Sequence, residues 1–252
     1  MAVVRFVLYV LLSILGLFIA MALLWAIAGM LYSLTVRKKV YYRTTFMARV
    51  LGFITTWGAF FFTRSRIKVE GEELLPKDRP FVYVANHRSR FDPMAVMYKL
   101  SRYRIGFISK PSNFKIPFFG EVLRKMCFLE INRDDPRKAM ETINDAVTIL
   151  AQHDASVGFY PEGTRSQDGT LGPFHHFMFR IPCEAKVPVV VAVTYGTEEV
   201  AKRFPFPGGA RITIRIIGVL DEQFIETHRP VEVGEKVESM MRHELGQESV
   251  QD

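Results

Sequence analysis

The sequence predicts an α/β layered domain with a mostly parallel sheet, preceded by two apolar helical segments. Three observations lead there. No charged residue occurs from Phe6 to Val36. The first 69 residues hold nine basic residues and no acid, and the remainder holds 24 basic against 26 acidic residues. After Val69, short β-type runs alternate with helical stretches, the pattern of strands joined by helices in one layered sheet.

The first segment, about 6–36, reads as a transmembrane helix, since roughly 20 apolar residues cross a bilayer core of about 30 Å. Ala20 and Ala22 resemble a signal-peptide cleavage site. The apolar run nevertheless continues through Leu23, Leu24, Trp25 and Ile27 to Leu34, past an h-region of about 7–15 residues, which favours a retained span. Arg37 to Arg43 then place the following chain on the cytoplasmic face. A second apolar stretch, about 46–63, carries Phe53, Ile54, Trp57, Phe60, Phe61 and Phe62. From Val50 to Thr63 it would make a helix of only about 21 Å. Basic residues flank it on both sides, so an interfacial or re-entrant helix is expected rather than a span. Residues 1–68 thus read as a membrane anchor and 69–252 as the catalytic domain. The domain's strands are expected at Phe81–Ala85, Ile105–Ser109, Cys127–Ile131, Val157–Tyr160, Val189–Val193 and Ile212–Val219. An amphipathic helix is expected over Pro136–Gln152, with Asp135 as its cap and Met140, Ile143, Val147 and Leu150 on one face. A terminal helix is expected around Val233–Leu245.

The net charge of +7 belongs to the membrane-proximal part. It points to anionic headgroups as partner and away from nucleic acid, because its cations sit among apolar segments. Cys127 and Cys183 have neither C-x-x-C spacing nor a zinc pattern, so reduced thiols and no metal are expected.

Four stretches can carry chemistry. Asn86-His87-Arg88-Ser89-Arg90-Phe91-Asp92-Pro93 follows a predicted strand, where parallel α/β domains place their sites. His87 there can take a proton from a hydroxyl, and Asp92 can fix its tautomer. Asp92-Pro93 also reads as an ordinary cap and first-turn pair for a helix through Leu100; the two roles are compatible. Phe159-Tyr160-Pro161-Glu162-Gly163-Thr164-Arg165 leaves another strand. Arg165 could fork onto a phosphate and Glu162 accept bonds that hold the loop; a polar turn using Gly163 and Gly169 is the plain alternative. Ser109-Lys110-Pro111, with Pro117-Phe118-Phe119-Gly120 beyond it, and Ile131-Asn132-Arg133-Asp134 each put a cation at a strand's end. A solvated surface charge is the ordinary alternative for both.

The four in this order resemble the glycerolipid acyltransferases, most closely the lysophosphatidate acyltransferases, over about Val69 to Val193. His87 and Asp92 match the family's His-x-x-x-x-Asp block. Lys110 with Pro117 to Gly120 matches the second block, Asn132-Arg133 the short arginine block, Glu162-Gly163-Thr164-Arg165 the fourth, and Val187-Pro188-Val189 the last. The resemblance implies that an acceptor hydroxyl attacks the thioester of acyl-CoA or acyl-carrier protein, with His87 as base and Asp92 as its partner. It further implies that Arg165, with Lys110 and Arg133, holds the acceptor's phosphate while Glu162, Gly163 and Thr164 shape that loop. Neither metal nor cofactor is needed, and acceptor and bilayer are the partners. Two departures touch the acceptor: His175-His176-Phe177 stands where lysines and a glycine are usual, and Val191 where a second proline is common. Another lysolipid or glycerol 3-phosphate is the alternative acceptor. A hydrolase would need a nucleophile elbow, and no G-x-S-x-G is present. A silent membrane scaffold would have no use for His87 and Arg165 together.

Overall fold

The computed structural model describes residues 2–35, 39–132, 135–166 and 168–247. The chain opens with α1 (Ala2–Ser33), a helix of 32 residues, about 48 Å long at the usual rise. Leu17, Ile19, Leu23, Leu24, Met30 and Leu31 all face outward from it. Among the described residues no helix is long and apolar enough to cross a membrane. The described helices do not confirm the transmembrane expectation for residues 6–36, which rests on the uncharged sequence from Phe6 to Val36.

Thr45 starts α2 (Phe46–Phe62) by accepting a hydrogen bond from the Ala48 amide. One face of α2, with Leu51 and Phe60, is buried; the other exposes Phe53, Ile54, Trp57, Phe61 and Phe62. The base of α1 docks where Gly29 leaves room for the Phe118 ring, and Trp25 and Tyr32 join Ala48, Leu51 and Val122 in a small apolar cluster.

Beyond α2 the elements run β1 (Arg66–Glu70), β2 (Val82–Ala85), α3 (Asp92–Lys99), β3 (Ile105–Ser109), α4 (Phe119–Lys125) and β4 (Leu129–Glu130). They continue through α5 (Pro136–Ala151), β5 (Ser156–Phe159), α6 (Arg180–Ala185), β6 (Val189–Tyr195), α7 (Thr197–Arg203), β7 (Arg211–Leu220), α8 (Glu222–Thr227) and α9 (Pro230–Leu245). The strands form one sheet in the order β1-β7-β6-β2-β5-β3-β4. Every pairing is parallel except β6 with β7.

Both faces of the sheet are covered, which is why its central strands read as nearly continuous apolar runs. Val82, Val84, Val189, Val191 and Val193 point to one side, where α5, α6, α8 and α9 bring Ile143, Ile181, Ile225 and Val237. Phe81, Tyr83, Ala85, Val190 and Ala192 point to the other, against Phe60 of α2 and Val96 of α3. α5 begins as expected, its cap Asp135 accepting from the amides of Arg137 and Lys138.

Two expectations change. The boundary drawn after residue 68 falls inside β1, which pairs with β7 from Arg66↔Arg211 to Glu70↔Arg215. Its alternating Arg-Ile-Lys-Val-Glu is a strand pattern, disguised by the basic residues of the segment before it. Asp92 is not the cap of α3: Phe91 holds that position and Asp92 is the first helical residue, because its carboxylate turns back toward the loop that precedes it.

Candidate active site

Five strands of the sheet point the same way, so the loops leaving β2, β5, β3, β4 and β6 share its carboxyl edge. His87 sits two residues beyond β2. Its Nδ1 lies 2.7 Å from Asp92 Oδ2, with the imidazole 19% exposed and Asp92 fully buried. The same Oδ2 accepts from the amides of Arg88 at 2.7 Å and Ser89 at 2.8 Å. The other oxygen, Oδ1, accepts from the Thr197 hydroxyl at the start of α7. A carboxylate oxygen already accepting two N–H groups acts as an acceptor toward Nδ1 as well. Nδ1 therefore carries the proton, and Nε2 is left as the free base. Below the imidazole the Tyr160 ring stacks at 4.3 Å between centroids, and Phe107 stacks beneath Tyr160 at 5.3 Å. Burial pushes the Tyr160 hydroxyl well above its ordinary range, so it does not compete as an acid.

The loop leaving β5 lies against this dyad. Glu162, 5% exposed, accepts from the His87 amide through Oε1 at 2.6 Å and from the Gly172 amide through Oε2 at 3.0 Å. The Ser166 amide donates to the His87 carbonyl at 2.8 Å. Glu162 thus closes the loop from within. Gly163 turns it with a φ of 69°, and Thr164 and Arg165 are left exposed at its tip. Arg165 makes no ion pair or hydrogen bond among the described residues, one position from a bond to the histidine's own carbonyl. Lys110, immediately after β3, is likewise exposed and makes no ion pair among the described residues. Arg133 lies outside the described residues.

Several residues that hold this arrangement have no local signature. Arg88 reaches across the dyad to Glu198 Oε1 at 2.8 Å and packs on Gly169, whose φ of 91° and missing side chain leave room for the guanidinium. Gln247, two residues past the end of α9, donates to the Gly169 carbonyl at 3.0 Å and accepts from the Leu171 amide at 2.8 Å. Thr197, Glu198 and Gln247 are distant in sequence from His87. Only the turn Tyr195-Gly196 after a strand hints that Thr197 stands at the same edge.

His175 is exposed, while His176 packs against Gly234 of α9 with Nε2 3.9 Å from Glu238. Both thiols are free, and burial pushes Cys127 up to about 12. Among the described residues no cluster of His, Cys, Asp or Glu side chains could hold a metal ion. A surface cavity of about 700 Å³ is lined by Leu74, Arg79, Pro188 and Glu222. It opens at the amino edge of the sheet, away from His87, Asp92 and Glu162.

Burial holds the Glu162 carboxyl above its ordinary range, against the opposing pull of the Gly172 and His87 amides. The sign follows. As pH rises from about 4.5 the unfolded chain releases this proton first, so Glu162 costs stability increasingly until the folded carboxyl ionises too. Glu162→Gln should destabilise at every pH through its lost acceptor, but without that slope. The melting-temperature gap between parent and variant should be widest near pH 4 and narrower at pH 7. A gap that widens with pH would contradict the buried-acid reading.

A family model described as Acyltransferase matches residues 66–195, just over half of the chain. The chain is 39% identical over 133 residues to a chloroplastic 1-acyl-sn-glycerol-3-phosphate acyltransferase of Brassica napus, covering 52% of this chain and 38% of the plant protein. It is 27% identical over 179 residues to the Saccharomyces cerevisiae protein of that name, covering 69% and 58%. The matched segment thus spans under two-fifths of the plant relative's length. The crystal structure of the acyltransferase PlsC from Thermotoga maritima superimposes with a TM-score of 0.62 at 22% identity, covering 90% of this chain and 91% of that one. At that identity the likeness is one of fold.

Proposed function

The chain belongs to the acyltransferase family, and from that premise we propose that it moves an acyl group from a thioester, acyl-CoA or acyl-carrier protein, to the free hydroxyl of lysophosphatidate, forming phosphatidate. The observation that carries the reading is the His87–Asp92 pair at 2.7 Å, with Arg165 exposed next to Ser166, whose amide holds the His87 carbonyl, and without an ion pair among the described residues. In this mechanism Nε2 of His87 takes the hydroxyl proton as the oxygen attacks the thioester carbon. Asp92 steadies the imidazolium that forms. The ester C–O bond forms, the C–S bond breaks, and the proton passes to the departing thiolate. Arg165, with Lys110 and Arg133, holds the acceptor's phosphate.

A direct transfer needs no acyl-enzyme, and the surroundings agree. Ser89 is buried and its hydroxyl accepts from the Phe91 amide at 3.0 Å, so it is not poised on His87. The relatives named 1-acyl-sn-glycerol-3-phosphate acyltransferase support lysophosphatidate as the acceptor.

The same reading makes α1 a membrane span, α2 an interfacial helix and the catalytic domain cytoplasmic. Acceptor and product are lipids while the donor is water-soluble. The outward aromatic face of α2 suits the headgroup boundary.

The test is the purified full chain in mixed micelles with acyl-CoA or acyl-carrier protein and a panel of acceptors. Phosphatidate should form fastest, ahead of products from other lysolipids or glycerol 3-phosphate. Faster turnover of a non-phosphorylated lysolipid, or thioester hydrolysis without acceptor, would overturn the assignment. In sealed vesicles, membrane-impermeant acyl-CoA should be consumed only when the domain faces outward.

A further inference from the structure

Resting on the membrane reading above, we propose that the loop 204–209, with Arg64, Arg66 and Arg211 beside it, is a second lipid contact. It would seat the catalytic domain on an anionic monolayer in addition to α2. Phe206 is 73% exposed and Phe204 44%, in a loop joining α7 to β7 that has no need of apolar side chains in water. The loop is bound to the end of α2: the amides of Gly208 and Gly209 donate to the Thr63 carbonyl at 3.2 and 3.0 Å. Phe206 covers a crevice bordered by Thr63, Ser65 and Val200. Phe206 thus stands exposed in a loop tied to the end of α2, where Phe61 and Phe62 are exposed too.

Charge identifies the occupant. Arg66 and Arg211 are direct partners across β1 and β7, both exposed, and Arg64 stands exposed just before them. None of the three makes an ion pair among the described residues. Like charges side by side on adjacent strands repel, and a surface of anionic headgroups relieves that repulsion while its acyl boundary takes the two rings. A globular partner would have to match a flat aromatic rim and three bare cations at once; a lipid monolayer supplies both layers without a specific fold.

The contact also reaches the chemistry. The Phe204 ring lies 5.3 Å from Phe91, the residue before Asp92. The exposed Arg90 guanidinium sits 5.6 Å from the Phe91 ring and 5.7 Å from Phe204. Seating this loop on the lipid therefore sets the dyad's mouth at headgroup depth.

The full chain is reconstituted in phosphatidylcholine vesicles containing phosphatidylglycerol, with and without bromine-labelled acyl chains. Phe206→Trp is made in a Trp25→Phe, Trp57→Phe background, and a companion keeps Trp57 alone. Both reporters should show blue-shifted emission quenched by the bromolipid. Quenching of the companion alone overturns the loop contact and leaves the membrane reading standing. Quenching of neither overturns both. A lipid-independent blue shift that grows with protein concentration in detergent assigns the patch to a second copy and also overturns the proposal. In a kinetic arm, Phe206→Asp should raise KM for a vesicle-borne acceptor about tenfold and leave turnover of a short-chain, monomerically dispersed acceptor unchanged. Equal loss on both acceptors counts against it.

Discussion

His87→Ala is expected to lower kcat by about three orders of magnitude, the middle of the range for a positioned general base, with the fold and membrane association intact. The imidazole's neighbours explain why the loss should be chemical. Asp92 keeps the Arg88 and Ser89 amides and the Thr197 hydroxyl when the histidine is cut back, so no buried carboxylate is stranded. Tyr160 keeps its stack on Phe107. The melting temperature should stay within a few degrees of the parent's, and turnover within tenfold of the parent would end the general-base role. Asp92→Asn completes this test. An asparagine oxygen in the place of Oδ2 can still accept from Nδ1 and both amides, while its NH2 replaces Oδ1 and the Thr197 hydroxyl reverses to accept. Geometry and tautomer survive and only the charge facing the imidazolium is lost. The decrease should therefore be smaller than for His87→Ala, with KM for both substrates little changed. A loss equal to that of His87→Ala would mean that Asp92 sets position as well as charge.

How far the sequence displayed this arrangement depends on the range of the interaction. Each candidate block followed an apolar run, and parallel strands send such blocks to one edge; His87, Lys110 and Glu162 were thus visible as neighbours in kind. The i-to-i+5 reach from His87 to Asp92 is local, and so was legible. The backward turn of the Asp92 carboxylate was not, because Asp-Pro at a helix start reads equally well as a cap. Glu162 was legible as a loop residue, but its bridge from the His87 amide to the Gly172 amide depends on β5 lying beside β2. That strand order has no trace in composition or periodicity. Thr197, Glu198 and Gln247 enter by the same tertiary route, and the tail around Gln247 carried no signal at all. At the other end, β1 alternated like a strand, yet its arginine and lysine continued the basic segment before it and drew the boundary three residues too far.

Arg165→Ala is expected to raise KM for phosphorylated acceptors by about 10- to 100-fold, the cost of removing one charged, bidentate hydrogen-bonding group. KM for acyl-CoA should change by less than about threefold, even though the donor also carries phosphates. The asymmetry follows from where the residue stands. Arg165 precedes Ser166, whose amide is bonded to the His87 carbonyl, so a phosphate held by Arg165 belongs to the molecule whose hydroxyl faces His87. Lys110 leaves β3, separated from β2 by β5, about 10 Å across the sheet at normal strand spacing. Lys110→Ala should therefore act on the same acceptor more weakly. Arg165→Lys should recover only part of the loss, because an ammonium restores charge without the planar fork. Raising salt should narrow the gap between parent and variant, since an exposed guanidinium acts through solvent. Equal losses for donor and acceptor, or full recovery by lysine, would show that Arg165 draws anions to the mouth in general instead of gripping one phosphate beside the base.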